Sequence, residues 1–277
     1  MKQNLKYHLK GKLTKKELEF VPSSFDVVGD ILIFSEFPRE LSKKEKIIGQ
    51  TILENYHHIK TVLKKTKKYS GKFRTPELKV IAGENRKETL FKENDVLIKL
   101  DVEKVYFSPR MSSERKRIAS LIKPNESVLV MFSGSGAYPL VIAKNTKCRE
   151  VCGIEINPVA HRYALENIKK NNLENKIELF AGDVRKMLPK ISKKFDRILM
   201  PLPKGGESFL DLALKHIKKK GIAHFYDFEH EGELYKSEEK VTKACKKSKK
   251  RCKILRIVKC GQYSPRFYRV CVDFLVD

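Results

Sequence analysis

The sequence predicts an α/β protein whose main part is a Rossmann-like, doubly wound sheet, preceded by a small α+β domain. After Pro109, apolar runs of strand length alternate with helical stretches. Such alternation requires parallel strand pairing, with helices packed on both faces of one sheet. Two long apolar runs, 253–261 and 266–276, close the chain. They predict an antiparallel pair added to that sheet.

Length and pattern together predict two domains. A chain of 277 residues corresponds to about two domains at ~150 residues each. Residues 1–20 form a basic, polar stub that is too short for a domain. Residues 21–105 are predicted to form the small α+β domain, and residues 106–277 the doubly wound domain.

The small domain is predicted from short apolar runs separated by turn residues. Its helix is expected at 42–56, and a charged linker at 65–72. Its strands are expected at 26–34, 57–65, 78–83, 88–94 and 96–102.

The larger domain is predicted to alternate between strands and helices. Its helices are expected at 112–122, 138–144, 158–171, 206–219 and 240–249. Before the closing pair, its strands are expected at 127–132, 148–156, 177–182, 196–202 and 221–228. Because parallel strands end at one edge of a sheet, the residues that follow them are candidates for a binding site.

The net charge indicates either a solvated surface or a polyanionic partner. The chain has 59 Lys+Arg against 34 Asp+Glu, a formal charge of +25. Such a field favours encounters with nucleic acid, but charge alone does not choose between RNA, DNA and anionic lipid. No run approaches the ~20 apolar residues of a membrane span, and the N-terminus has no apolar signal core. We therefore expect a cytoplasmic protein without membrane contact.

The cysteines are predicted to be reduced and mostly buried. The chain has six of them, and no pair has the C-x-x-C spacing of a zinc site. Cys152, Cys260 and Cys271 lie inside apolar, strand-like runs. No metal is predicted.

A glycine loop follows the first strand of the larger domain. Its sequence is F-S-G-S-G, from Phe132 to Gly136, and a helix comes directly after it. Glycine at such a strand end lets the backbone approach a ligand closely. The next strand ends in Glu155, placed to accept hydrogen bonds from ribose hydroxyls, and the third in Asp183, placed to meet an adenine amino group. Together these strand ends predict a nucleoside crevice.

Two cofactors suit such a crevice, a nicotinamide dinucleotide and S-adenosylmethionine. The loop lacks the G-x-G-x-x-G pattern, because Pro139 stands at the third glycine position. A pyrophosphate needs close glycine packing at a helix N-terminus, whereas a sulfonium ligand needs only the first turn. S-adenosylmethionine is therefore favoured.

Several motifs resemble the archaeal/eukaryotic tRNA (guanine-37 N1)-methyltransferases, from about Val21 to the C-terminus. The motifs that carry the resemblance are Y-F-S-P-R (106–110), S-E-R (113–115), G-I-E-I-N-P (153–158), G-D-V-R (182–185), M-P-L-P-K (200–204), H-F-Y-D-F (224–228) and Y-S-P-R (263–266). The small domain is also similar to that family's second domain, in V-P-S-S-F-D-V-V-G-D-I-L-I, K-F-R (72–74) and V-I-A-G-E (80–84).

The resemblance implies methyl transfer from S-adenosylmethionine to N1 of guanosine 37 of tRNA, without an obligatory protein partner. It implies Glu114 as the general base, with Arg110 and Tyr106 beside it, and Arg74 on the guanine O6. By spacing alone, Arg110 and Glu114 could equally form an exposed ion pair one helical turn apart.

The resemblance also assigns the binding residues. Those expected to contact the cofactor are Phe132, Gly134, Gly136, Glu155, Asn157, Asp183, Val184 and Pro201. Those expected to contact the RNA are Arg74, Arg110, Pro203, Tyr263 and Arg266.

The sequence departs from the family pattern at three places. Pro201 replaces an Asn that contacts the guanine in the family, and Val130 replaces an Asp near the methionine end of the cofactor. The family's separate N-terminal domain is expected to be absent or reduced, because about twenty residues precede Val21.

Two alternatives stay open at this point. One is transfer of the aminocarboxypropyl group of the same cofactor to a tricyclic guanosine, as in the wybutosine-pathway enzymes of the sister family. The other is a tRNA-binding protein that keeps the fold without catalysis.

Overall fold

Two units make up the chain. The computed structural model describes residues 5–277, apart from the side chains of residues 68–70. One unit holds the chain up to Lys92 together with Leu97–Pro109, and the other holds Glu93–Val96 together with Arg110–Asp277. The observed division therefore differs slightly from the predicted one, since Tyr106–Pro109 group with the first unit.

The first unit is built on a four-stranded sheet. Its sheet strands are β1 (Asp26–Val28), β2 (Ile31–Phe34), β3 (Thr61–Ser70) and β4 (Thr75–Gly83), and its helices are α1 (Leu5–His8), α2 (Lys15–Phe20) and α3 (Glu45–Asn55). The strand order is β1-β2-β3-β4, in which β2 and β3 are parallel and the other pairs antiparallel. Two further strands, β5 (Glu88–Glu93) and β6 (Val96–Asp101), form a two-stranded sheet.

The N-terminal segment packs into the core of the first unit. Leu5, Leu9, Leu13 and Val21 are buried in the same cluster as residues of the sheet and of α3. The lysines between these leucines make the segment look polar, while the leucines themselves share one spacing of four residues. The predicted stub, where it is described, is thus part of this unit, and its residues 1–4 lie outside the described residues.

Two predictions for the first unit, the strand at 26–34 and the linker at 65–72, are wrong. The single strand expected at 26–34 is two strands, because a tight turn separates β1 from β2. Gly29 in that turn has φ +59°, and a Cβ there would lie 2.2 Å from Thr89 Oγ1, so a larger residue does not fit. The linker expected at 65–72 is mostly β3, which pairs through its backbone with β4 in spite of its lysines.

The second unit is built on a seven-stranded sheet with the order β12-β13-β11-β10-β7-β8-β9. These strands are β7 (Ser127–Met131), β8 (Glu150–Glu155), β9 (Ile177–Ala181), β10 (Phe195–Met200), β11 (Ile217–His230), β12 (Cys252–Ser264) and β13 (Phe267–Val276). The first five in chain order are parallel, whereas β13 pairs antiparallel with both β11 and β12. This confirms the predicted doubly wound sheet with its antiparallel closing pair.

Helices cover both faces of this sheet. They are α4 (Ser112–Ser120), α5 (Ala137–Asn145), α6 (Pro158–Lys170), α7 (Val184–Met187), α8 (Leu210–His216) and α9 (Tyr235–Lys247). Every residue of the central strand β7 is buried, which requires packing on both sides. No helix among the described residues is long and apolar enough to cross a membrane.

The region around 206–220 differs from its prediction. The helix expected at 206–219 is a short 3₁₀ turn at 206–209 followed by α8, and β11 already begins at Ile217. Ile217 pairs with Phe195, so the lysines that follow it lie within a strand rather than on a helix. The short helix α7 after the third parallel strand was not predicted.

The cysteine prediction is wrong for one pair. Cys245, near the end of α9, forms a disulfide with Cys252 at the start of β12. Both cysteines were expected to be reduced thiols, because no pair of cysteines has the C-x-x-C spacing and the protein was expected to be cytoplasmic. Cys152 and Cys271 are free and buried, and Cys260 is free and half-buried; burial raises the pKa of the Cys152 thiol to about 11.

Candidate functional site

The predicted crevice residues lie at one edge of the second unit's sheet. Met131 pairs with Ile154, and Glu155 pairs with Ala181, so β7, β8 and β9 end side by side. On the other side, Met200 ends β10 opposite Phe225 of β11. This carboxyl edge is where ligands bind in open parallel sheets.

The glycine loop leaves β7 through backbone conformations that favour glycine. Phe132 has φ +70°, and Gly134 and Gly136 have φ +57° and +86°. A Cβ on Gly136 would lie 3.3 Å from Cβ of Ala164 on α6. The loop therefore packs closely against α6 at Gly136, while the close approach of a ligand to its backbone stays a prediction.

Glu155 holds the glycine loop in place. Its Oε2 accepts a hydrogen bond from the Gly134 N–H at 2.7 Å, and its Oε1 accepts one from the Asn157 N–H at 2.7 Å. Burial raises the pKa of Glu155, against the lowering effect of these N–H donors. A carboxylate offers about four acceptor positions, and two of those on Glu155 are used by these backbone N–H groups. The hydrogen bonds that Glu155 is expected to accept from a ribose stay a prediction.

Asn157 and Asp183 cap the helices that follow their strands. The Asn157 Oδ1 accepts a hydrogen bond from the Val159 N–H at 3.0 Å, and the Asp183 Oδ1 accepts one from the Arg185 N–H at 2.9 Å. Asn157 and Asp183 follow their strands at the carboxyl edge of the sheet, as predicted. Their side chains, however, already stabilise helix N-termini. Val184 is buried in the core, which leaves its backbone rather than its side chain for a ligand.

Two serine hydroxyls are left for a ligand of this loop. The Ser133 and Ser135 side chains are buried, and among the described residues neither Oγ has a hydrogen-bond partner. Buried hydroxyls without partners are costly. A polar ligand seated on the loop would satisfy them, so the residues present fit a polar, nucleoside-type cofactor.

An aromatic pair that the sequence did not predict lies beside the loop. The Phe132 ring packs edge-on against Phe209, with 4.9 Å between the ring centroids. The Arg185 guanidinium lies 3.8 Å from the Phe209 centroid and donates to Ser208 Oγ at 3.0 Å. Arg185 is the last residue of the G-D-V-R motif (182–185), and this motif was the sequence feature that could have indicated the contact with Phe209.

Glu114 is buried at the start of α4, among hydrogen-bond donors. Its Oε1 accepts from Tyr226 Oη at 2.6 Å and from Arg117 Nη2 at 2.7 Å, and its Oε2 accepts from Arg117 Nε at 2.7 Å. Tyr138 in turn donates to Tyr226 Oη at 3.0 Å. The alternative of an exposed ion pair with Arg110 is wrong for Glu114, because the Glu114 side chain is 3% exposed and its carboxylate pairs with Arg117.

The other predicted catalytic residues are divided between the units. Arg110 lies in the second unit, on the 3₁₀ turn before α4, and it is exposed. Tyr106 and Arg74 belong to the first unit. Tyr106 is partly exposed, and Arg74 sits with φ +52° in the turn between β3 and β4. Their approach to Glu114 stays a prediction.

The segment after β10 contains one of the departures from the family pattern, Pro201. Pro201 is half-buried directly after the strand, and Pro203 is buried. Leu202 donates its N–H to the Met200 carbonyl at 2.7 Å, which gives the segment a tight turn. Val130, the other departure, is fully buried in β7, where an aspartate would require a polar partner.

Tyr263 and Arg266 lie at the tip of the β12–β13 hairpin. Because β11 continues from Phe225 to His230, opposite Phe267, this tip projects beyond the carboxyl edge of the sheet. Tyr263 is 67% exposed, and its ring lies 4.8 Å from that of Phe228. An exposed aromatic ring with a neighbouring arginine is typical of nucleobase contacts.

A buried cluster of His224, Cys271 and Asp273 has ligand atoms within 4.8 Å of one another. His224 Nδ1 contacts Asp273 Oδ1 at 2.6 Å, and His224 Nε2 contacts Arg197 Nη1 at 2.8 Å. Burial lowers the pKa of His224, which favours the neutral ring with its proton on Nδ1. Neither ring nitrogen is then open to a metal ion, so these contacts favour a hydrogen-bond network.

Family models match both units. The TRM5/TYW2 methyltransferase domain matches residues 89–255, and the TYW2 N-terminal domain matches residues 5–86. The chain belongs to the TRM5/TYW2 family. This confirms the resemblance found in the sequence, and it places the glycine loop and Glu114 within the family's methyltransferase domain.

Three relatives of the TRM5/TYW2 family show how far the similarity extends. The tRNA (guanine(37)-N(1))-methyltransferase Trm5b of Pyrococcus abyssi is 40% identical, over 93% of this chain and 76% of that protein. The structure of a complex of aTrm5 and tRNALeu matches with TM-score 0.86 and 32% identity, over 100% of this chain and 79% of that one. Pyrococcus horikoshii TYW2 in complex with MeSAdo matches with TM-score 0.82 and 27% identity, over 98% and 97%.

Proposed function

We propose that this chain is a tRNA methyltransferase that transfers the methyl group of S-adenosylmethionine to N1 of guanosine 37, and that it acts in the cytoplasm. The observation that carries the proposal is the Glu114 carboxylate. Three of its roughly four acceptor positions are used, and the Oε2 position that is left has no partner among the described residues. The name of the P. abyssi relative supports the same reaction.

The chemistry requires a base at this point. Guanine N1 carries a proton in its stable form, and that proton must leave when the methyl group is added. Glu114 accepts it at Oε2, while Tyr226 and Arg117 hold the carboxylate in position. On the resemblance to the family, we assign Arg74 and Arg110 to the negative charge that develops on O6, and we assign Tyr106 a catalytic role as well. When bound, S-adenosylmethionine would supply the methyl group of its sulfonium, and the electron pair of the broken carbon–sulfur bond would remain on sulfur as a neutral thioether.

The cofactor residues are those of the carboxyl edge. We assign the backbone of Gly134 and Gly136 and the Ser133 and Ser135 hydroxyls to the methionine part of the cofactor. The residues assigned to the remaining contacts are Phe132, Glu155, Asn157, Asp183, Val184 and Pro201. The unsatisfied hydroxyls and the MeSAdo-bound relative support this placement.

Cofactor binding is expected to depend on Glu155. The Glu155→Ala variant should bind S-adenosylmethionine more weakly by ~1.5–3 kcal/mol, the range for charge-assisted hydrogen bonds, because both the ribose contact and the loop anchor are lost. Calorimetric titration measures the change. Glu178→Ala is the matched control, since Glu178 is an exposed carboxylate on the neighbouring strand β9. Unchanged affinity in Glu155→Ala would contradict the placement.

The RNA surface is assigned to the hairpin tip and to the positive charge of the chain. Tyr263 and Arg266 contact the anticodon loop, and Pro203 lines the position of the target base. Lys and Arg side chains around the site contact phosphates, in accordance with the charge of +25.

Affinity for tRNA is expected to fall steeply with salt, because each phosphate contact releases condensed counterions. Arg266→Gln should reduce the slope of log affinity against log salt by about one. Arg149→Gln should leave that slope unchanged, since Arg149 is exposed at the opposite, amino edge of the sheet, next to the start of β8. Filter binding at several salt concentrations measures both slopes, and a flat dependence in the native chain would contradict RNA contact through these charges.

Two observations favour aminocarboxypropyl transfer as a second candidate. Residues 5–86 match the TYW2 N-terminal domain, and Pro201 stands where the methyltransferases have an asparagine. Against this, identity to the P. abyssi methyltransferase is 40% and to P. horikoshii TYW2 27%.

Product analysis separates the candidates. Native chain and S-adenosylmethionine are incubated with unmodified tRNA and, separately, with tRNA that carries the tricyclic guanosine, and the nucleoside at position 37 is identified by mass spectrometry. We expect 1-methylguanosine. An aminocarboxypropyl group on a tricyclic guanosine substrate, without methylation of the unmodified tRNA, would favour the second candidate. Binding of cofactor and tRNA without any product would favour a non-catalytic protein.

A further inference from the structure

The Glu114 carboxylate is one end of a chain of charged contacts through the interior of the second unit. Arg117 joins Glu114 to Asp273, His224 joins Asp273 to Arg197, and Arg197 ends the chain on Glu126. The five members after Glu114 come from α4, β13, β11, β10 and the turn before β7. Glu114 alone among them is assigned to the substrate in the proposed function.

Arg117 is shared between two carboxylates. Besides its two bonds to Glu114, it donates to Asp273 from Nη1 at 2.7 Å and from Nη2 at 3.3 Å. Both carboxylates are 3% exposed and the arginine is 20% exposed. The positive charge of Arg117 is thus shared by two buried carboxylates, and neither of them is fully compensated by it.

We propose that Asp273 is a positioning residue for the general base: by sharing Arg117, it keeps the Glu114 carboxylate basic enough to accept the guanine N1 proton. If Arg117 paired with Glu114 alone, its whole charge would favour the ionised carboxylate and oppose proton transfer. The inference rests on the proposed function, because it concerns the same base.

The contacts of Asp273 keep it ionised. Burial opposes the charge, but hydrogen bonds from His224 and Arg117 hold the pKa of Asp273 well below its usual value. The His224 ring is oriented by Arg197, whose own guanidinium donates to Glu126 at 2.7 and 2.9 Å and to the Leu121 carbonyl at 2.8 Å. Asp273 is therefore a fixed negative charge during the reaction.

Other groups around the two carboxylates carry less influence. Burial raises the pKa of Tyr138 and Tyr226, and that of Cys271, so these groups stay neutral. Cys260 on β12 lies next to Cys271, and the Arg115 guanidinium is paired with Glu93. Arg256 on β12 lies 3.5 Å from Asp273 Oδ2, but its side chain is 52% exposed.

The test is the pH dependence of single-turnover methyl transfer by the full chain, with unmodified tRNA and S-adenosylmethionine. Asp273→Asn should move the midpoint of the rising limb toward acid by about one pH unit and lower the plateau rate severalfold, because the base is weaker. Cofactor and tRNA affinities should stay near native. Asp273→Glu restores the charge and should return the midpoint toward the native value.

Two further variants keep the test decisive. Arg256→Gln changes an exposed side chain, and this variant should fold. Because a positive charge near Asp273 is lost, the midpoint should move toward alkaline pH, opposite to the shift in Asp273→Asn. Asp227→Asn is the matched control: Asp227 is also a buried aspartate of the sheet, but it pairs with Lys240 and Ser237, and its variant should leave the midpoint in place.

The outcomes separate the inference from the proposed function. Methyl product from the native chain with an unshifted midpoint in Asp273→Asn, or with an equal shift in Asp227→Asn, would overturn the inference alone. If Asp273→Asn does not fold, a midpoint in Arg256→Gln that is unchanged or moves toward acid overturns it. No methylated product from the native chain would overturn the proposed function, and the inference with it.

Discussion

The Glu114→Gln variant is expected to slow single-turnover methyl transfer by about 10²- to 10⁴-fold, the usual contribution of a general base. The amide keeps the size of the side chain, and its oxygen still accepts hydrogen bonds, but it does not accept the N1 proton. The native rate should rise with pH and then level off, and the variant should lose this dependence. Quench-flow measurement with saturating enzyme gives the rate of the chemical step.

Control measurements separate loss of the base from loss of the fold. Glu239→Gln changes an exposed glutamate on α9 and should leave the rate near native. Affinities of Glu114→Gln for cofactor and tRNA should also stay near native, because the assigned contacts lie elsewhere. A rate within about threefold of native would refute Glu114 as the base.

The Arg197→Met variant is expected to destabilise the second unit by ~3–5 kcal/mol, the usual cost of breaking a buried ion pair. Arg197 is 1% exposed, and its removal leaves Glu126, His224 and the Leu121 carbonyl without their donor. Native-state hydrogen exchange of the amides of β10 and β11 measures the free energy of opening in this unit.

A surface arginine gives the comparison for that measurement. Arg149 is 58% exposed on its side chain and lies 3.4 Å from Glu150, so Arg149→Met should change the opening free energy by at most ~1 kcal/mol. If Arg197→Met cost as little as this control, the buried contacts of Arg197 would not contribute to stability as we propose.

Local patterns were sufficient to predict the doubly wound sheet. The buried strands β7 and β8 appear in the sequence as continuous apolar runs, and the glycine loop and Glu155 directly follow such runs. Hydrophobic periodicity fails where a strand is polar. The lysines in the second half of β3 and at the start of β11 therefore concealed parts of these strands, whose pairing depends on backbone hydrogen bonds with distant segments.

The environment of Glu114 was beyond the reach of local patterns. Arg117 and Asp273 are 156 residues apart in the chain, and their contact depends on how β13 pairs with β11. A signal was nevertheless present: Arg197, His224 and Asp273 each stand within a largely apolar strand run. A charged or polar group in a strand that is covered on both faces requires a hydrogen-bond partner. Three such groups in neighbouring strands are therefore candidates to be partners of one another.

The buried contacts from Glu114 to Glu126 have an evolutionary consequence. Each charged member has a neighbour of opposite charge, and the neutral His224 hydrogen-bonds to Asp273 and Arg197. A single substitution within the chain therefore leaves a buried charge or polar group without its partner, whereas a joint replacement of neighbours by apolar residues does not. The combined variant Arg197→Met and Glu126→Met should thus lose less stability than the sum of its single variants. Among related proteins, we expect these positions to vary in concert, as epistatic pairs, rather than independently.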